Sequence, residues 1–229
     1  MAEPSAKISR LGAFRALLHR PSFLVHLHPP LVRVRTLRFR TTYGLGLLAV
    51  FSALLLLVTG ALLMVFYVPA PALAHASIED LHAVVPFGGF VRSLHRVAAN
   101  AMVVVVVLHL VRVALREADA PPRTANAWVG TGLLILTLGL AFTGYLLPWD
   151  QRAFWACTVG ADLVGSFPWL GPAFRRMLLG GDEVGGRALL RFYALHCMVL
   201  PLLGAVLTAY HLWRIRKDGG LALPRGDEG

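Results

Sequence analysis

Three long stretches of this chain carry no Asp, Glu, Lys or Arg at all: residues 41–78, 124–149 and 192–213. An apolar run of about 20 residues is long enough to cross a bilayer, and a helix is the form that satisfies its own backbone there. A fourth apolar stretch, Ser93–Val111, is interrupted by Arg96 alone. These runs predict four membrane-spanning helices, near residues 43–67, 93–115, 127–148 and 189–213. The composition agrees, since 57% of the 229 residues are apolar and only 15% are charged. The fold class implied is all-α, a membrane four-helix bundle. It divides into a basic N-terminal segment (1–42), the bundle (43–213) and a C-terminal tail (214–229).

The formal net charge of +10 would suit nucleic acid in a soluble chain, but its distribution points to a membrane instead. Eight Lys or Arg precede the first span; Arg112, Arg116 and Arg123 lie between spans two and three; Arg214, Arg216 and Lys217 follow the last. The loop after span one has Glu79 and Asp80 and no Lys or Arg before Arg92. By the positive-inside rule both termini are expected in the cytoplasm of a multi-pass protein of the cell inner membrane. Ala6–Leu24 alternates basic and apolar residues and is expected to lie along the cytoplasmic membrane surface, with a mobile basic tail as the alternative. Basic residues interrupt any secretory signal. Cys157 and Cys197 form no CxxC or CxxCH motif, so haem attachment through that motif is not expected.

Four of the nine histidines fall inside the predicted spans, in two pairs: His95 with His109, fourteen apart, and His196 with His211, fifteen apart. Each interval is close to four helical turns, about 21 to 22 Å along the axis. Two such helices side by side make two bis-imidazole sites at two depths of a bilayer about 30 Å thick. Neutral imidazole is a natural axial ligand for haem, so the pattern reads as two haems forming a transmembrane electron path. A single intramembrane histidine is commonly a hydrogen-bonded packing residue; four in paired register ask for more.

Glycines repeat the interval. Gly46 and Gly60 are fourteen apart in span one, and Gly130 and Gly144 fourteen apart in span three. Glycine lets the backbone approach a bulky group closely, so the four are read as slots for a macrocycle; small-residue helix packing predicts spacings near four instead. Arg92 and Arg112 stand three residues outside His95 and His109 and are candidates to neutralise haem propionates, with snorkelling to the interface as the alternative.

Span three ends in Gly144-Tyr-Leu-Leu-Pro148-Trp-Asp-Gln151, where Pro148 stops the helix. About 40 residues follow, too many for a passive connection. They are expected to form two short interfacial helices, near 152–164 and 172–180.

The segments Arg92-Ser-Leu-His95-Arg96, Gly144-Tyr-Leu-Leu-Pro-Trp-Asp-Gln151 and Arg191-Phe-Tyr-Ala-Leu-His196, with Pro201 and His211, resemble the N-terminal half of the cytochrome b family. The resemblance runs from about Thr42 to Gly219. The fifteen-residue interval, the Pro-Trp-Asp-Gln terminus and the four spans are similar to the b6 type. The resemblance implies a subunit of a quinol–cytochrome c oxidoreductase, coupled to proton translocation. Its cofactors would be two haem b, its substrate quinone or quinol. It implies a separate subunit IV-like chain with the remaining helices, a Rieske iron–sulfur protein, a c-type cytochrome, membrane lipid and a dimeric complex as partners, and no nucleic acid. Gly44 stands where chloroplast b6 has a haem-binding cysteine, so no covalent haem c is expected.

On the same resemblance, spans two and four are expected to face each other antiparallel, with His95 and His196 on the iron of an outer haem and His109 and His211 on that of an inner one. The loop after span three reads either as a lid over a quinone pocket or as an interfacial linker held by Trp149, Trp155 and Trp169. Tyr145, Trp155, Ala156, Cys157 and Val159 are candidates for an outer quinone pocket, with a buried packing thiol as the alternative for Cys157. Arg216, Lys217 and Asp218 are candidates for an inner one. The alternatives are another di-haem membrane protein, cytochrome b561-like or a dehydrogenase anchor, and a haem-free membrane scaffold.

Overall fold

The computed structural model describes residues 43–116 and 121–218; the expected surface helix at Ala6–Leu24 lies outside them. Among the described residues all regular structure is helical: α1 (Leu45–Phe66), α2 (Ala74–Ala83), α3 (Gly88–Ala114), α4 (Thr124–Leu146), α5 (Gln151–Gly165), α6 (Gly171–Leu179), α7 (Gly186–Ala194) and α8 (Leu200–Lys217). A π-helical turn, Leu195–Val199, joins α7 to α8. Among the described residues four helices are long and apolar enough to cross a membrane: α1, α3, α4 and the continuous Gly186–Lys217. The sequence reading had these four and both helices of the long loop, and it missed α2 and the π turn.

The bundle is built from two close pairs, α1 on α3 and α4 on α8, with α3 against α4. Its packing inverts the pattern of a soluble protein. Ser52, Thr59, Thr137 and Thr143 are buried, while Leu47 and Val65 are each 76% exposed on the outside of the chain. Lipid is as apolar as leucine, so burying large side chains gains little, and small residues let helices approach. The threonine hydroxyls are satisfied within their own helices: Thr59 donates to the Leu55 carbonyl (2.7 Å), Thr137 to Leu133 (2.8 Å) and Thr143 to Gly139 (2.8 Å).

We call the end carrying α2, α5 and α6 the upper end. There the Pro148-Trp149-Asp150-Gln151 motif acts as a helix stop and restart. α4 ends at Leu146, Trp149 takes a left-handed conformation (φ +52°), and the Asp150 carboxylate accepts from the Ala153 amide at 2.8 Å to cap α5. Tyr67, just past α1, donates its hydroxyl to the Leu147 carbonyl at 2.6 Å and stacks on Tyr193 at 5.6 Å. It thereby ties the upper ends of α1, α4 and α7 together. Burial, with Cys197 and Tyr193 adding to it, pushes the Tyr67 phenol well above its ordinary range. Arg187 donates to the Gly180 carbonyl (3.1 Å), and Arg191 to those of Arg176 (3.3 Å) and Met177. These cations cap the C-terminus of α6. Beneath them Leu146, Cys157, Ala161, Leu179, Ala188 and Phe192 form a closed apolar core.

The helix directions correct one expectation. α3 and α7–α8 run parallel, because His95, early in α3, faces His196 rather than His211. Each span reverses the chain, and one span intervenes between them, so two reversals restore the direction.

Candidate functional site

The two glycine pairs and the two histidine pairs meet in register. A Cβ built on Gly46 would lie 3.2 Å from His109 Cε1, and one on Gly60 3.2 Å from His95 Cε1. On the other helix pair, Gly130 stands 3.4 Å from His211 Cε1 and Gly144 2.6 Å from His196 Cε1 by the same measure. An upper level therefore holds Gly60, His95, Gly144 and His196. A lower level holds Gly46, His109, Gly130 and His211. The glycines admit the imidazole rings themselves, where the sequence had suggested slots for a macrocycle. A Cβ at Gly46, Gly60 or Gly144 would crowd the ring it faces, most severely at Gly144.

At the upper level the rings are anchored. His95 Nδ1 lies 2.8 Å from Thr59 Oγ1; His196 Nδ1 lies 3.2 Å from Thr143 Oγ1 and 3.1 Å from the Leu140 carbonyl. A carbonyl can only accept, so His196 carries its proton on Nδ1 and leaves Nε2 for another partner. At the lower level His109 Nδ1 and His211 Nδ1 are buried without a hydrogen bond among the described residues. The Asn126 carbonyl is close to His211 without forming one.

The π turn explains how unequal intervals give equal levels. Fourteen residues fall about 40° short of four turns and fifteen overshoot by about 60° at 3.6 residues per turn. A π turn absorbs one extra residue. The Leu200 amide bonds the Leu195 carbonyl, five residues back. Pro201 has no amide to bond the Cys197 carbonyl and its ring crowds it, which opens the turn at His196. Pro201 inside an apolar span was the available signal.

The spacing would let His95 and His196 hold one iron between them. The His95 and His196 ring centroids are 6.4 Å apart. Two metal–nitrogen bonds of about 2 Å each, with half a ring behind each nitrogen, span about 6 Å. Among the described residues no group of three or more His, Cys, Asp or Glu is placed to hold a metal. Two imidazoles suit an ion whose other ligands come from a macrocycle, as in haem.

The remaining predicted residues fare unevenly. Arg92 contacts His82 Nε2 at 2.9 Å, a histidine to which the sequence reading gave no role. Arg112 lies over the Tyr43 ring, 4.6 Å from its centroid. Tyr145, Trp155 and Val159 are each more than half exposed, but Cys157 is fully buried in the upper core. One helix thus sends Trp155 and Val159 one way and Cys157 the other. Burial pushes the Cys157 thiol up to about 11. A cleft at the upper end is lined by His75, Trp149, Asp150, Gln151 and Arg152 rather than by those candidates. At the lower end Lys217 Nζ lies 4.8 Å from the Trp213 ring centroid, and buried Asp218 pairs with Arg214 at 3.0 Å.

Comparison with known proteins identifies the family. Residues 34–219 match the family model described as Cytochrome b/b6/petB. A relative named cytochrome b6 from Heliobacterium mobile is 43% identical over 177 residues, covering 77% of this chain and 83% of the relative. Cytochrome b6 of Porphyra purpurea is 39% identical over 177 residues, covering 77% and 82%. Among solved structures, a chain of "Hyperthermophilic respiratory Complex III" is similar at a TM-score of 0.74 and 27% identity, over 82% of this chain and 50% of that one. This chain therefore spans half the length of the complex III chain.

Proposed function

The chain belongs to the cytochrome b/b6 family, and from that premise we propose that it is the di-haem b subunit of a bc-type quinol–cytochrome c oxidoreductase. It works within a multi-subunit membrane complex and conducts electrons from quinol oxidised at the outer face toward the cytoplasmic side, coupled to proton translocation. His95 and His196 hold the outer haem iron, and His109 and His211 the inner. Each haem, when bound, supplies a one-electron carrier.

The chain's own part is positioning. The four glycines let the imidazoles sit against the helix backbone. The apolar spans keep water from the rings. Arg92 and Arg112, near the two ends of α3, are proposed to neutralise propionates, and Arg92 then leaves or shares His82. Tyr145, Trp155 and Val159 are proposed to flank the outer quinone. Arg216 and Lys217 are proposed to serve the inner one, since Asp218 is already engaged by Arg214. The upper end is read as the outer face of the cytoplasmic membrane, with both termini in the cytoplasm. The proposed partners are a subunit IV-like chain, a Rieske iron–sulfur protein and a c-type cytochrome.

The observation that carries this reading is the two-level register of glycine and histidine, with the upper rings 6.4 Å apart. A reduced-minus-oxidised spectrum of the purified protein tests it, with two b-type components expected. His211→Ala should remove the inner haem and leave the outer one. Loss of neither haem, or no b-type absorbance in the unsubstituted protein, would overturn it.

A further inference from the structure

The upper and lower levels are alike in glycine and histidine and differ in the residue before each glycine. On α1 and α4 the upper glycines follow threonine, in Thr59-Gly60 and Thr143-Gly144; the lower ones follow Leu45 and Val129. The two threonines lie on different helices, yet each reaches the Nδ1 of the histidine that packs on its glycine, at 2.8 and 3.2 Å. A leucine or valine has no hydroxyl to offer there.

The direction of these bonds is determined by the second partner of each hydroxyl. Thr59 Oγ1 is 2.7 Å from the Leu55 carbonyl and 3.3 Å from Leu56; Thr143 Oγ1 is 2.8 Å from Gly139 and 3.2 Å from Leu140. A hydroxyl has one hydrogen, and the helix carbonyls, which only accept, take it. The oxygen is then an acceptor toward histidine, so Nδ1–H donates and Nε2 is left for iron. An imidazole whose Nδ1–H is accepted is oriented and is a stronger donor to its metal. A stronger axial donor favours the ferric state.

We propose that Thr59 and Thr143 are positioning residues that orient the outer imidazoles and lower the reduction potential of the haem they hold. This inference rests on the di-haem reading above.

The test is a redox titration of the isolated complex, followed optically, with low-temperature electron paramagnetic resonance to report the ligand field at each iron. Thr59→Val with Thr143→Val removes both hydroxyls at nearly constant volume. The expected result is about a tenfold shift of the outer haem toward the reduced form, about 59 mV for one electron, with altered outer g-values and an unmoved inner haem. Thr59→Ser with Thr143→Ser should restore the unsubstituted potential. Val129→Thr installs a hydroxyl beside His211 and should lower the inner potential alone. Should the double valine variant lose its outer haem, Val129→Thr decides: a lower inner potential supports the proposal and an unchanged one overturns it. Two haems with unshifted potentials in all variants would overturn the threonine role and leave the di-haem reading standing. No haem in the unsubstituted protein would overturn both.

Discussion

Replacing each of the four glycines by alanine should damage the two sites unequally, in an order set by distance. Gly60 and Gly130 lie well inside helices, while Gly46 is the second residue of α1 and Gly144 the third from the end of α4, so the gain in helix propensity is at most about 0.5 to 1 kcal/mol and does not set the order. What differs is the imidazole. At Gly144 the new Cβ would stand 2.6 Å from His196 Cε1 and 3.1 Å from both ring nitrogens. Ordinary carbon contacts are about 3.5 to 4.0 Å, so the ring must retreat by about 1 Å. It is held at 3.1 Å by the Leu140 carbonyl and at 3.2 Å by Thr143, both on the helix that carries Gly144, so retreat breaks those bonds. Overpacking costs about 1 to 3 kcal/mol and each lost hydrogen bond about 0.5 to 1.5. A combined cost of about 2 to 6 kcal/mol weakens outer-haem retention about 30- to 20,000-fold at 1.4 kcal/mol per decade. At Gly130 the Cβ would lie 3.4 Å from His211, an ordinary contact, and inner-haem loss should stay below about tenfold. Gly46 and Gly60, both at 3.2 Å, should fall between. Haem per polypeptide, resolved by spectral component, measures the series. A Gly144→Ala protein with full outer haem beside a Gly130→Ala protein lacking the inner one would refute the reasoning.

Deleting Met198 should convert the π turn to α-helix and keep both haems, whereas inserting one alanine after Ala205, within regular helix, should cost the inner haem; difference spectra of the two proteins check this. Cys157 should resist thiol alkylation near pH 8 in the intact protein, because its thiol titrates at about 11 rather than 9. The raised value means the folded state holds the proton more tightly, so the associated stability is complete below pH 9 and is lost as pH climbs from about 9 toward 11; labelling rates and unfolding midpoints across that window measure both. Tyr67→Phe should destabilise the upper end by about 1 to 2 kcal/mol by leaving the Leu147 carbonyl unpaired. Thermal unfolding reads the change, and an unchanged midpoint would show that the Tyr67–Leu147 bond carries no stability.

The residues that do the work were legible to different degrees. His95, His109, His196 and His211 stood out because ionisable groups are rare in apolar spans, and the glycines because they repeat the same interval. Thr59 and Thr143 did not, since a threonine in a membrane helix is ordinary until its hydroxyl is seen against a ring. For Cys157 the sequence left a pocket role and a buried packing thiol both open; the structure buries it in the upper core, on the opposite side of its helix from Trp155 and Val159. Arg191, part of a family motif, proved to cap α6. Its partners are fourteen and fifteen residues away, beyond what helix periodicity relates.

By itself the sequence determined the number of spans, the helix stop at Pro148 and the repeat that places histidine and glycine at two depths. These are local properties, set by hydrocarbon thickness, backbone hydrogen bonding and the pitch of a single helix. Only the tertiary structure decided that the His95 and His196 rings stand 6.4 Å apart, that a π turn absorbs the fifteenth residue, and that hydroxyls anchor one pair of rings and not the other. Those outcomes depend on how helices are rotated against one another, and on distances of a few ångströms between residues about a hundred positions apart. The pitch of one helix says nothing about its rotation against the next.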